Sequence, residues 1–339
     1  MLFNSYLFLF LFLPLCLVGF YILKSKHATL AKVWLICFSL WFYGYFNFSY
    51  LLIMLGSIGG NYIIHKYMLY SSEKQRKNMD KILLMLGISG NIVLLFYYKY
   101  FDFFIININK LWNTGLMVKG ILLPLGISFF TFQQISFLVD SYKGEMKKCN
   151  FVDYTLFVSF FPQLVAGPIE RSKNLLKQLA IPPKFNVDNV IEGAWLMLWG
   201  YFLKVVLADR VAIFVDPVYA GYEKYTGMYA IVATLLFAVQ LYCDFYGYSV
   251  IAMGCAKVLG YQLIDNFNAP FLSRSIAELW RRWHISLGSW FRDYVYIPLG
   301  GSRVGKLRGL FNIFVVWMLT GFWHGADWNF ILWGLFFAT

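Results

Sequence analysis

The chain has 339 residues, 60% of them hydrophobic and 14% charged, with a formal net charge of +12. A soluble domain averages about 45–50% apolar and about 25% charged residues, so a water-soluble globular class is excluded. The excess lysine and arginine falls in short segments between long apolar runs, which is the positive-inside pattern and not a nucleic-acid surface.

The apolar runs are continuous, with none of the roughly ten-residue alternations of a β-barrel, so a polytopic bundle of helices is expected. Leu2 to Leu23 is of spanning length and lacks the basic start and small-residue cleavage site of a secretory signal. Lys24, Lys26 and Lys32 follow it, which predicts an external N-terminus and a cytoplasmic first loop. Val33 to Phe46 and Phe48 to Ile64 read as a short up-and-down pair, and His65 to Lys81 as a basic loop on the same face. Gly56 and Gly60 form a GxxxG pattern, which predicts close helix packing. Ile82 to Tyr98 is the next predicted span, followed by an aromatic and asparagine-rich interfacial segment, Tyr100 to Thr114. Gly120 to Val139 is predicted to span with Gln133 and Gln134 inside it.

Phe151 to Gly167 carries Pro162 and Gln163 and is followed by Pro168, so it reads as a broken or re-entrant element. Arg171 to Lys184 reads as a basic loop, and Ile191 to Leu207, Met228 to Phe245 and Val250 to Leu259 continue the bundle. Asp244 is an intramembrane carboxylate that fits either a polar clamp between helices or a substrate path. The five cysteines, Cys16, Cys37, Cys149, Cys243 and Cys255, form no CxxC pair and read as small core residues. With no linker, soluble segment or internal repeat, residues 1–339 read as a single integral membrane domain, and an inverted-repeat transporter fold is disfavoured.

From Asn268 onward the character changes. Ser275-Ile-Ala-Glu278 is a capping box that predicts a helix start, with Glu278 and Arg282 spaced to pair, and Trp280 and His284 spaced to share a face. Arg281, Arg282, Arg292, Arg303, Lys306 and Arg308 make this region the most basic, which suits a cytoplasmic interfacial anchor. His284 is not explained by an anchor. His324 follows the apolar run Leu310 to Leu319, with Asp327 three residues on, close enough on a helix to orient an imidazole. Each histidine has two readings here, a satisfied core residue or a general base titrating near neutral pH. A metal site is disfavoured, because the two are forty residues apart in sequence and no HxxxH or HExxH spacing occurs. Gly300 to Lys306 matches part of a P-loop, but Leu307 stands where serine or threonine is required, so that motif is rejected.

WRRWHISLGSWFRDYVYIPLGG and FWHGADWNFILWGL resemble the signature segments of the membrane-bound O-acyltransferase family, particularly its bacterial polysaccharide-acetylating branch. The likeness extends through LPLGISFFTFQQISFLVDSYKG (Leu123 to Gly144), FFPQLVAGPIERSKNLLKQL (Phe160 to Leu179), DFYGYS (Asp244 to Ser249) and NFNAPFLSRSIAELW (Asn266 to Trp280), in order from about Leu51. The resemblance implies an all-α transmembrane bundle, a funnel of tilted helices with re-entrant and interfacial elements. It implies His324 as the catalytic histidine and His284 as the second histidine of the family. It further implies a bacterial inner-membrane enzyme with no resident cofactor and an acyl thioester donor such as acetyl-CoA on the cytoplasmic side. An exported hydrolase-like acetyltransferase would be its partner, and an alginate-like exopolysaccharide or peptidoglycan the acceptor.

Tyr246, Val250 and Gly288 depart from the family pattern and leave donor and acceptor identity open. Trp328 to Thr339 is shorter than the roughly 20 residues a spanning helix needs, which predicts a chain incomplete at its C-terminus and puts its own activity in question. The competing readings are a glycan or lipid-carrier transporter and a non-catalytic truncated scaffold.

Overall fold

The computed structural model describes residues 1–146, 149–165 and 167–339. Its helices, in chain order, are α1 (Phe8–Lys26), α2 (Ala28–Gly44), α3 (Phe48–Glu73), α4 (Lys77–Trp112), α5 (Ile127–Tyr142), α6 (Phe151–Ser159) and α7 (Phe161–Leu164). They continue with α8 (Ser172–Ala180), α9 (Val187–Ala220), α10 (Met228–Val258), α11 (Ile276–Arg282), α12 (Ile285–Phe291), α13 (Lys306–His324) and α14 (Trp328–Ala338). Among the described residues the only β-type pairing is an isolated antiparallel bridge between Phe267 and Trp283. Helices α1, α3, α4, α9 and α10 are long and apolar enough to cross a membrane, so the chain is an all-α, multi-pass membrane protein.

Several predicted boundaries move, each for a local reason. Helix α3 runs through His65 to Glu73 and removes most of the predicted basic loop, because His65 is fully buried with Nδ1 2.9 Å from Ser141 Oγ. That hydroxyl donates to the Phe137 carbonyl at 2.7 Å, so the ring nitrogen facing it carries the proton. Helix α4 absorbs the segment assigned to an interface and ends at Asn113 in the left-handed conformation. The span predicted from Gly120 is only the 16-residue helix α5, about 24 Å long. The residues before it have no regular structure and are held by Asp102, whose carboxylate accepts from the Lys119 and Ile121 amides at 2.9 and 2.7 Å.

The basic loop after Arg171 contains the amphipathic helix α8, with Leu175, Leu176 and Leu179 buried and Lys173 and Lys177 exposed. Met228 to Val258 is one helix of 31 residues where two were predicted. The predicted break near Pro162 is present. Helix α6 stops at Ser159, α7 follows after Phe160, and the freed Phe161 amide donates to Ser39 Oγ at 3.1 Å.

By internal contacts the chain forms two compact units. The first comprises Met1–Asn47, Thr155–Glu170 and Asn174–Ile285; the second comprises Phe48–Tyr154, Arg171–Lys173 and Ser286–Thr339. In the first unit α9 and α10 meet through glycines. A Cβ at Gly193 would lie 2.7 Å from the Gly254 carbonyl oxygen, and one at Gly200 would lie 2.7 Å from that of Gly247. Each pair is two helical turns from the other, so the backbones touch along one seam. Asp244 belongs to an ion cluster in this unit, with Lys204 Nζ 2.5 Å from Asp244 Oδ1 and 2.8 Å from Asp209 Oδ1. The Lys204–Asp244 pair joins α9 to α10, the contact that a polar clamp between helices needs.

In the second unit buried polar groups pair across helices. Asn91 Nδ2 of α4 donates to Asn61 Oδ1 of α3 at 2.6 Å, and Gln134 of α5 bridges Ser57 Oγ and Tyr154 Oη at 2.9 and 3.1 Å. Among the described residues, Gly56 and Gly60 do not make the close packing predicted for them. A Cβ at either position meets nothing within 4 Å, and both line an open cavity of about 410 Å³ between α3 and α4.

The two kinds of glycine predict opposite responses to one substitution. Gly254→Ala pushes a Cβ to 2.6 Å from the Gly193 carbonyl oxygen, an overpacking expected to cost about 1–3 kcal/mol. Gly60→Ala adds a methyl to open space and should stabilise the helix by up to about 1 kcal/mol. Thermal unfolding of the two variants in detergent checks this, and equal shifts would refute the glycine seam.

Candidate active site

The region around His284 is built from two short segments of the first unit. Helix α11 begins as predicted, with Ser275 Oγ accepting from the Glu278 amide at 3.1 Å and Arg282 pairing with Glu278 at 2.6 Å. The Glu278 carboxylate also accepts from the Arg274 amide at 2.9 Å. That backbone hydrogen bond, with the nearby arginine charges, holds its pKa below the usual glutamate range. The helix ends at Arg282, so Trp280 and His284 do not share a helix face, and that expectation is corrected. Trp283 is extended, and His284 takes a positive φ of 45° before α12 starts.

Two backbone hydrogen bonds of 2.9 Å, Asn268 N–H to the Arg282 carbonyl and Ile285 N–H to the Asn266 carbonyl, clamp this break to the Asn266 segment. The imidazole is 4% exposed, and its ring stands edge-on to Phe245 at 4.7 Å between centroids. A non-glycine residue at positive φ inside a clamped, buried turn is a backbone constraint of the kind that clusters at functional positions.

His324, in the second unit, is the last residue of α13 and is exposed. Aromatic rings wall it, with Trp323 at 5.0 Å, Trp333 at 5.1 Å and Phe330 at 6.2 Å between centroids. Gly325 is extended, and a Cβ there would run into the Phe330 ring, so a side chain at this turn would have to displace that ring. Helix α14 is pulled against α13 by a second glycine contact, where a Cβ at Gly334 would lie 2.8 Å from the Trp317 carbonyl oxygen. The expectation that Asp327 orients His324 along a helix is corrected, because the helix stops between them. Asp327 is instead the N-cap of α14 and accepts from the Asn329 amide at 2.8 Å.

Two residues near His324 were missed in the sequence. Lys99 and Tyr100 lie where α4 widens into an i→i+5 turn, Phe96–Tyr100. Lys99 Nζ donates to the Trp323 carbonyl oxygen and to Ser128 Oγ at 3.2 Å, and Tyr100 Oη donates to the Phe322 carbonyl at 2.6 Å. The available signal was a single cation inside the aromatic run FYYKYF (Phe96 to Phe101).

A further cluster draws on three of the segments that carry the resemblance. The buried Asp140 carboxylate accepts from Ser172 Oγ at 2.6 Å and from Tyr294 Oη at 2.9 Å. Arg171 lies over the Tyr294 ring at 4.8 Å and pairs with Asp293 at 3.3 Å. Asp293 and Tyr294 sit in another widened turn, Arg292–Tyr296. Widened turns of this type are frequent at functional sites, where they redirect side chains out of the regular helical register.

This arrangement offers an accessible imidazole in an aromatic enclosure beside a cation, which suits proton transfer to and from a reacting hydroxyl. Residues 117–338 match the membrane-bound O-acyltransferase family. The chain is 39% identical to a peptidoglycan O-acetyltransferase of Helicobacter pylori, over 99% of its own length and 68% of the relative's. It is 37% identical to a probable alginate O-acetylase of Pseudomonas aeruginosa, over 98% of its own length and 64% of the relative's. A teichoic acid D-alanyltransferase of Streptococcus thermophilus is 32% identical over 62% of this chain and 54% of that protein. The chain thus spans about two thirds of the length of the two O-acetylating relatives. By both the family match and these identities, the chain belongs to the membrane-bound O-acyltransferase family.

Proposed function

We propose that this protein acts in O-acetylation of an extracellular or cell-envelope polysaccharide, with acetyl drawn from a thioester donor such as acetyl-CoA on the cytoplasmic side of a bacterial inner membrane. The observation that carries the reading is His324, an exposed imidazole at the end of an apolar helix, within the family match and inside an aromatic wall. The names of the relatives support the acyl group and the class of acceptor. The lysines in the last turn of α1, Lys24 and Lys26, support an external N-terminus. An exported hydrolase-like acetyltransferase is the partner proposed to complete transfer to the sugar. No resident cofactor is invoked.

In the proposed step a neutral His324 accepts the proton of the attacking hydroxyl. The oxygen forms a bond to the thioester carbonyl carbon, the carbon–sulfur bond breaks, and the thiolate leaves to take up a proton. General-base assistance of this kind is worth about 10²–10⁴ in rate. His284 is proposed to position the donor, and the arginines from Arg281 to Arg308 to attract its phosphates.

His324→Ala in the intact protein should lower acetate release from purified polysaccharide by roughly 10² or more, with protein level and membrane insertion unchanged. Near-normal acetylation would overturn the assignment. At His284 the positive φ of 45° penalises alanine for a backbone reason unrelated to chemistry. Asparagine tolerates that conformation. His284→Asn should therefore accumulate normally and raise the KM for acetyl-CoA, and an unchanged KM would remove the positioning role.

A further inference from the structure

A helix leaves its last four carbonyls without intrahelical donors, and in an apolar environment each must find one. For α13 these include the carbonyls of Phe322 and Trp323, immediately before His324. Both are taken by side chains of α4, Phe322 by Tyr100 and Trp323 by Lys99. In an ordinary helix adjacent residues point about 100° apart. The i→i+5 turn at Phe96–Tyr100 changes that register, and these two neighbours reach consecutive carbonyls of one helix end.

Contacts on other sides reinforce the pair. The Tyr100 ring stacks on Phe322 at 4.7 Å, and the Lys99 ammonium lies 5.6 Å from the Trp323 ring centroid. Ser128 Oγ of α5 also accepts from Lys99 at 3.2 Å. A cation at a helix C-terminus also complements the helix dipole.

We propose that Lys99 is a positioning residue for acyl transfer. With Tyr100 it caps the helix end that carries His324, and it fixes where the imidazole sits. The inference rests on the reading of His324 as the base. Lys99 acts through His324, so its contribution disappears when the imidazole is absent.

The test is a double-mutant cycle in membranes containing the intact protein, with labelled acetyl-CoA as donor and native cell envelope as acceptor. Lys99→Met should lower kcat roughly 10²-fold, the scale expected when a reacting group is misplaced by about 1 Å, with little change in KM for acetyl-CoA. Lys99→Arg, which keeps the charge and donors, should recover most of the rate. Adding Lys99→Met to His324→Gln should lower the residual activity no further.

Near-wild-type turnover in Lys99→Met, with His324→Gln inactive, would overturn this inference and leave the functional reading standing. A Lys99→Met effect of the same size in both backgrounds would also overturn it, because the lysine would then act independently of the histidine. Near-wild-type turnover in His324→Gln would instead remove the functional reading, and this inference with it. If Lys99→Met does not accumulate, Lys99→Gln takes its place in the same cycle, with the same outcomes deciding.

Discussion

A backbone carbonyl left without a donor in an apolar medium costs several kcal/mol, and this chain meets that demand with side chains from distant elements. The same device recurs at four helix-end carbonyls. Lys32 donates to Ala180 at 2.7 Å, Tyr21 to Val258 at 2.8 Å, Tyr100 to Phe322 at 2.6 Å, and Lys99 to Trp323. Each bond ties the end of one helix to a residue far away in sequence. The helix ends are consequently defined positions, and the residues at them, His324 among them, are placed with the precision of a hydrogen bond.

The same constraint governs the polar side chains inside the two units. Asn61 pairs with Asn91, Gln134 bridges two hydroxyls, and Asp140 is held by Ser172 and Tyr294. None of these arrangements is strong evidence of stability, because burying a polar pair gains little over an apolar one. Their effect is on uniqueness. A helix that carries an amide inside a bilayer has few rotations that satisfy it, so pairing selects one packing among many that would bury the same apolar area. Where the apolar surface alone decides, glycine sets how closely helices approach, as at Gly193 with Gly254 and Gly200 with Gly247.

Much of the organisation was legible because it depends on local pattern. Long apolar runs identified the spanning helices, the proline and glutamine near Pro162 marked the broken element, and the Ser275 capping box was located to the residue. Other features were misread where the outcome depends on a partner far away in sequence. His65 looks like the start of a basic loop until Ser141 is beside it. Gly56 and Gly60 carry the pattern of a packing motif without its contact, whereas the glycines that do pack are spaced by seven and show no GxxxG signature. Asp327 stands three residues from His324, but the helix ends between them and its carboxylate caps the next one.

By itself, then, the amino-acid sequence determined the class of the protein, its family likeness and the two histidines worth examining. Hydrophobicity, basic-loop bias and motif order are all properties of contiguous residues. Tertiary structure decided what surrounds each histidine. The His284 backbone turn depends on the Asn266 segment, and the His324 helix end depends on a lysine and a tyrosine more than two hundred residues earlier. A hydrogen bond between distant elements leaves no periodic trace in either one, because a single polar side chain in an apolar run reads the same whether it finds a carbonyl or not. Only the packed helices show which carbonyls those polar groups reach.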